Sequence, residues 1–134
     1  MTSFRWGLAS FLLAAASVPL HRAVAQSTSP DADSAAARAA RGRVLFEGKG
    51  LCFSCHGKEG DGLLGPTTRL AGRALVHAKP TLASIAALVT AGVDSAHSTS
   101  GKVMPPRGGS RLSDAEILAV AQYVLQLQAG KKPE

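Results

Sequence analysis

Aromatic residues are scarce in this 134-residue chain: one Trp, one Tyr and four Phe, 4% of the total. Trp6, Phe4 and Phe11 fall in the first 25 residues, leaving Phe46, Phe53 and Tyr123 for the rest. That excludes a large aromatic core. The length suits one domain, and a domain this small buries a modest share of its surface, so something else must supply apolar interior. Only two cysteines occur, Cys52 and Cys55, which excludes a disulfide framework. No run alternates with period two long enough for a strand, and no internal repeat is present. No basic block is interleaved with aromatics, which argues against nucleic acid as a partner. Nor is there an apolar run of the roughly 20 residues that a membrane span needs.

The longest uncharged stretch, Gly7 to Leu20, is closed by His21 and Arg22. Arg5 precedes it and Ala23-Val24-Ala25 comes after it, a small-x-small cleavage pattern. Residues 1–25 therefore read as a secretory signal peptide cut near Ala25, with an uncleaved anchor as the alternative. The protein is expected to be exported to the periplasm, without stable membrane insertion after cleavage. Loss of Arg5 and Arg22 would lower the net charge from +6 to +4.

After the leader the pattern is helical. Residues 26–37 are a disordered lead-in, polar and small over QSTSPDAD, where Asp31 or Asp33 could serve as a helix cap. Ala- and Arg-rich residues 34–48 predict a first helix ending before Gly50. Gly57, Gly60, Gly62, Gly65 and Pro66 predict a loop around the cysteine pair. Residues 68–77 predict a short helix. Pro80-Thr81 opens another, carried by Leu82, Ile85, Leu88 and Val89 and stopped by Gly92. Residues 93–110 are irregular. Ser113 with Glu116 forms a capping box for the clearest helix, through Ile117, Val120, Ala121, Val124, Leu125 and Gln128 to Gly130. The fold class is all-α.

The chemistry sits in Cys52-Phe53-Ser54-Cys55-His56. C-x-x-C-H is the attachment signature of c-type haem. Two thiols at this spacing can add to the two vinyl groups on one porphyrin edge, which places the adjoining imidazole beneath the ring. The expected cofactor is one haem c per chain, attached through Cys52 and Cys55, with His56 on iron. The alternatives are a plain disulfide, a thioredoxin-like redox pair, for which no βαβ pattern is present, and zinc completed by His77 and His97.

Met104 is the sole methionine beyond the leader. It stands in Lys102-Val103-Met104-Pro105-Pro106, where two prolines restrict the backbone and withhold N–H donors. That suits one thioether held in a fixed place, and Met104 is the expected second axial ligand. His77, His97 or an empty position are the alternatives.

Together, CFSCH, Gly65-Pro66, the Met104-Pro105-Pro106 run and the helix beginning LSDAEI and containing Ala121-Gln122-Tyr123-Val124 resemble the class I cytochromes c. The likeness spans residues 38–130, read as a cytochrome c domain with a short tail, 131–134, after it. The resemblance implies three to five helices wrapped around one covalently bound haem. It implies that Gly42 and Phe46 pack near Tyr123 where the first and last helices cross. It also implies that the Pro66 carbonyl accepts a hydrogen bond from the haem histidine. The chain departs from the family at Thr67-Thr68-Arg69, inserted before Leu70. Arg69, Arg73, Lys79 and Lys102 are candidates for the propionates.

Two protein ligands on iron leave one-electron transfer and no enzymatic activity. The expectation is a monomeric electron carrier whose partners are redox proteins. Lys49, Lys58, Lys102, Arg107 and Arg111 are candidates for docking an acidic partner, with ordinary surface charge as the alternative. A dedicated haem subunit of a larger oxidoreductase is the second functional reading. A gas-binding sensor is the third, and it requires Met104 to be absent from iron.

Overall fold

The computed structural model describes residues 34–130. The expected signal peptide, the capping candidates Asp31 and Asp33, and the expected tail lie outside the described residues. Among the described residues four α-helices form: α1 (Ala35–Glu47), α2 (Phe53–His56), α3 (Leu82–Ala91) and α4 (Asp114–Gln128). Two 3-10 turns, Pro66–Thr68 and Pro106–Gly109, interrupt the connections. Among the described residues there is no strand, only an isolated antiparallel bridge between Val93 and Met104. No helix among them is long and apolar enough to cross a membrane. The all-α expectation holds.

Each long helix starts at a side-chain cap. Ser34 accepts from the Ala37 N–H, so α1 starts at Ala35, inside the stretch assigned to the lead-in. Thr81 caps α3 by accepting from the Ser84 N–H. Ser113 and Glu116 satisfy each other's backbone N–H groups at the start of α4, the reciprocal arrangement expected from the sequence. The helix predicted over 68–77 does not form. The 3-10 turn ends at Thr68, Gly72 takes a positive φ of 62°, and the side chains of Arg69 and Arg73 bond to backbone carbonyls instead.

The first and last helices make the principal contact. Ala39, Gly42 and Phe46 are the buried positions of α1, and their spacing places them on one face. A Cβ on Gly42 would overlap the Ala119 carbonyl and lie 3.0 Å from the Tyr123 Cβ. The helices approach closely because that position has no side chain. Phe46 and Tyr123 meet edge to face at 5.3 Å and 71°, an arrangement worth about 0.5–1.5 kcal/mol beyond simple burial. Ile85 and Val89 of α3, with Ile117, Val120, Val124 and Leu127 of α4, extend the core. The Tyr123 hydroxyl donates to the Lys58 carbonyl at 3.1 Å, which ties the core to the glycine-rich loop.

Lys49 joins the ends a second way. Its Nζ lies 2.8 Å from Glu116 Oε2. That bond, with the Ser113 N–H, holds the Glu116 carboxyl down at about 2 from an ordinary 4.5. In this window the unfolded chain binds more protons than the native one, so acid favours unfolding. The stability from Glu116 should be complete above pH 4.5 and lost as pH falls to about 2. Urea unfolding across that window should be less pH-sensitive in Glu116→Gln than in wild type. Equal sensitivity would remove Glu116 from the account.

Candidate functional site

The cysteine pair lies on and beside α2, a single helical turn too short to show periodicity in the sequence. Leu51, at φ 55°, reverses the chain into it. The His56 N–H bonds to the Cys52 carbonyl at 3.0 Å and the Gly57 N–H to that of Phe53 at 2.9 Å. Cys52, Cys55 and His56 thus face one cavity within one turn. The thiols are not bonded to each other. Burial pushes the Cys52 thiol up to about 11, although its backbone hydrogen bond acts the other way. A thiol kept protonated lacks the activated thiolate that a disulfide oxidoreductase uses.

His56 is oriented by a backbone carbonyl, but that of Thr68 and not of Pro66. Its Nδ1 lies 2.6 Å from the Thr68 oxygen. A carbonyl only accepts, so Nδ1 carries the proton and Nε2 keeps its lone pair. Burial pushes the His56 pKa below the usual histidine value, and the bond to Thr68 partly offsets this. The expectation for Pro66 is therefore corrected. Its carbonyl accepts from the Arg73 guanidinium at 2.5 Å, and Pro66 does not line the cavity. The acceptor sits two positions further on, at the end of the 3-10 turn Pro66–Thr68. Thr68 is also the buried polar residue of the core region, its hydroxyl satisfied by the Gly65 carbonyl at 2.9 Å.

The cavity measures about 560 Å³, within the roughly 300–1,000 Å³ typical of ligand sites. Cys52, Cys55, His56 and Met104 all line it, among apolar side chains that include Phe46, Leu70, Ile85, Val89 and Val120. Two thiols and an imidazole with a free Nε2, set in an apolar wall that also carries a thioether, fit the attachment and ligation chemistry of a haem c. Two backbone hydrogen bonds, 2.8 and 2.9 Å, pair Met104 with Val93, so the Met104 backbone is fixed at the end of α3. Gly92 makes this possible, since a Cβ there would crowd the Met104 carbonyl.

Of the alternatives to Met104, His77 lines the cavity. His97 does not; its Nδ1 lies 2.8 Å from Asp94. No three His, Cys, Asp or Glu side chains among the described residues converge as a metal site, so the zinc alternative has no ligand cluster. Lys102 is the propionate candidate on the cavity wall; Arg69, Arg73 and Lys79 are not on it. Of the docking candidates, Lys49 is held by Glu116 and Arg107 by Asp114. Exposed apolar residues rim the cavity where charges were expected: Leu51, Leu64, Val76 and Val103. Their scatter through four loops leaves no periodic signal in the sequence.

The arrangement has known counterparts. Residues 37–124 match the family model described as cytochrome c oxidase, cbb3-type, subunit III. No curated protein matches. Among solved structures, cytochrome c6 from the diatom Phaeodactylum tricornutum is similar: 33% identical, covering 69% of this chain and 97% of that one, with a TM-score of 0.52. With the C-x-x-C-H turn facing the cavity and the helical frame around it, the chain belongs to that cytochrome c family and is a small class I c-type cytochrome.

Proposed function

We propose that the protein is an exported, periplasmic one-electron carrier with a single haem c, attached through Cys52 and Cys55 and ligated by His56 and Met104. The observation that carries this reading is the shared cavity, where a carbonyl-oriented imidazole and a backbone-anchored thioether line the same apolar wall as the two thiols. The haem supplies reversible ferric–ferrous chemistry. When it is bound, His56 and Met104 would hold its iron, the apolar wall would exclude water, and the Thr68 carbonyl would hold the imidazole in one tautomer. A thioether and a low-dielectric pocket both favour the less charged ferrous state, so the potential is relatively positive. With both axial sites filled, no position remains at which a small molecule could be transformed. The leader-like pattern of residues 1–25 supports export.

The test is the reduced absorption spectrum of the haem-loaded protein with and without carbon monoxide. A low-spin spectrum unchanged by the gas is expected. Rapid gas binding would defeat the carrier reading and favour a sensor.

Docking on this reading uses the apolar rim of Leu51, Leu64, Val76 and Val103, with Lys102 beside it. Since Lys49 and Arg107 are already paired, electrostatic steering sits at the low end of its range, about tenfold in association rate. Electron transfer to an acidic redox partner should therefore slow only about tenfold from low to high salt. A far steeper loss would mean that charge, not apolar contact, dominates docking.

The family description, which names an oxidase subunit, favours one second reading: a dedicated haem subunit serving a larger oxidoreductase. Co-purification with such an enzyme at stoichiometric ratio would select it.

A further inference from the structure

The 3-10 turn Pro66–Thr68 carries the carbonyls of Pro66 and Thr68, and His56 Nδ1 has a single proton to donate. Only Thr68 receives it, at 2.6 Å. The Pro66 oxygen is occupied by the Arg73 guanidinium at 2.5 Å and by the Arg69 N–H at 3.3 Å. A charged donor makes the stronger of these bonds. Arg73 is itself anchored. Its carbonyl accepts from Gln128 Nε2 at 3.2 Å, and the neighbouring Gly72 N–H donates to the Leu127 carbonyl at 3.1 Å. One residue therefore connects the turn that accepts from His56 to the C-terminal end of α4, through its guanidinium on one side and its own carbonyl on the other.

We propose that Arg73 is a positioning residue for the axial histidine. By engaging the Pro66 carbonyl and tying the turn to α4, it reserves the Thr68 carbonyl for His56 Nδ1 and sets the basicity of the imidazole. The proposal rests on the reading of His56 as haem ligand. Arg73 touches neither the cavity nor His56; it acts through the position of one carbonyl. A firmly held Nδ1–H···O bond makes Nε2 a better donor, which stabilises the ferric state and lowers the potential.

The experiment uses the haem-loaded full chain as wild type, Arg73→Met and Arg73→Lys. Met keeps the length of the side chain without a donor; Lys keeps a charged donor. The readouts are deuterium exchange of the His56 Nδ1 proton by NMR in the ferrous protein and the midpoint potential. In Arg73→Met, exchange should accelerate at least tenfold and the potential should move positive, with the low-spin spectrum retained. Arg73→Lys should recover most of both. Wild-type exchange and potential in Arg73→Met, even with lowered thermal stability, would overturn the proposal and leave Arg73 as a structural tie alone. His56→Ala tests the underlying reading separately. Loss of the low-spin spectrum is expected there. Its retention would remove His56 from iron, and the Arg73 proposal with it.

Discussion

Replacing Gly42 by alanine should unfold the protein far more easily, by about 3 kcal/mol, the upper end for overpacking a tight contact. On an exposed helix position the same change stabilises by up to about 1 kcal/mol, so the sign alone is diagnostic. The new methyl would overlap the Ala119 carbonyl. That atom belongs to the backbone of α4 and has no rotamer to change, so the two helices must separate. Phe46 and Tyr123, 1% and 0% exposed, would then lose their edge-to-face contact. A domain of this size loses about 4–8 °C of Tm per kcal/mol, which gives a fall of roughly 12–24 °C. Thermal denaturation of the haem-loaded protein measures it. Unchanged or raised stability would show that α1 and α4 are not packed through Gly42.

Met104→Ala should turn a haem that ignores carbon monoxide into one that binds it stoichiometrically, with a large negative shift in potential as the thioether is lost. The Val93–Met104 backbone pairing survives this change, because only the side chain is shortened. His77 complicates the outcome in a useful way, since it lines the same cavity. If Met104→Ala remains low-spin and gas-resistant while the double variant with His77→Ala opens, the imidazole has replaced the thioether. If neither variant binds the gas and the potential does not move, Met104 is not at iron.

What the sequence made legible was local. The Ser113–Glu116 box and the spacing of Ile117, Val120, Ala121 and Val124 define α4 because caps and periodicity operate within a few residues. CFSCH was legible because its chemistry depends on spacing within a single turn. The histidine's acceptor was not. Whether Pro66 or Thr68 serves depends on a turn fixed by Arg73, and Arg73 is fixed by Gln128, 55 residues away. The pairing of two docking candidates, Lys49 and Arg107, was hidden in the same way. Lys49 reads as a free charge until Glu116, 67 residues on, is placed beside it. The helix expected over 68–77 gave way because its arginines are used by backbone carbonyls and Gly72 turns left-handed.

The meeting of the first and last helices also orders events in time. The Lys49–Glu116 and Lys58–Tyr123 bonds span 67 and 65 residues, so most of the described residues lie in one loop that must close before these contacts can form. Closure entropy is spent before long-range contacts repay it, which slows folding relative to a bundle built from neighbouring helices. Until that loop closes, α1 is without its principal partner, α4. Throughout that interval Cys52 and Cys55 stand on a segment not yet enclosed. Late closure thus leaves a period in which both thiols are open to reaction before Val120 and Val124 of the last helix complete the wall of their cavity.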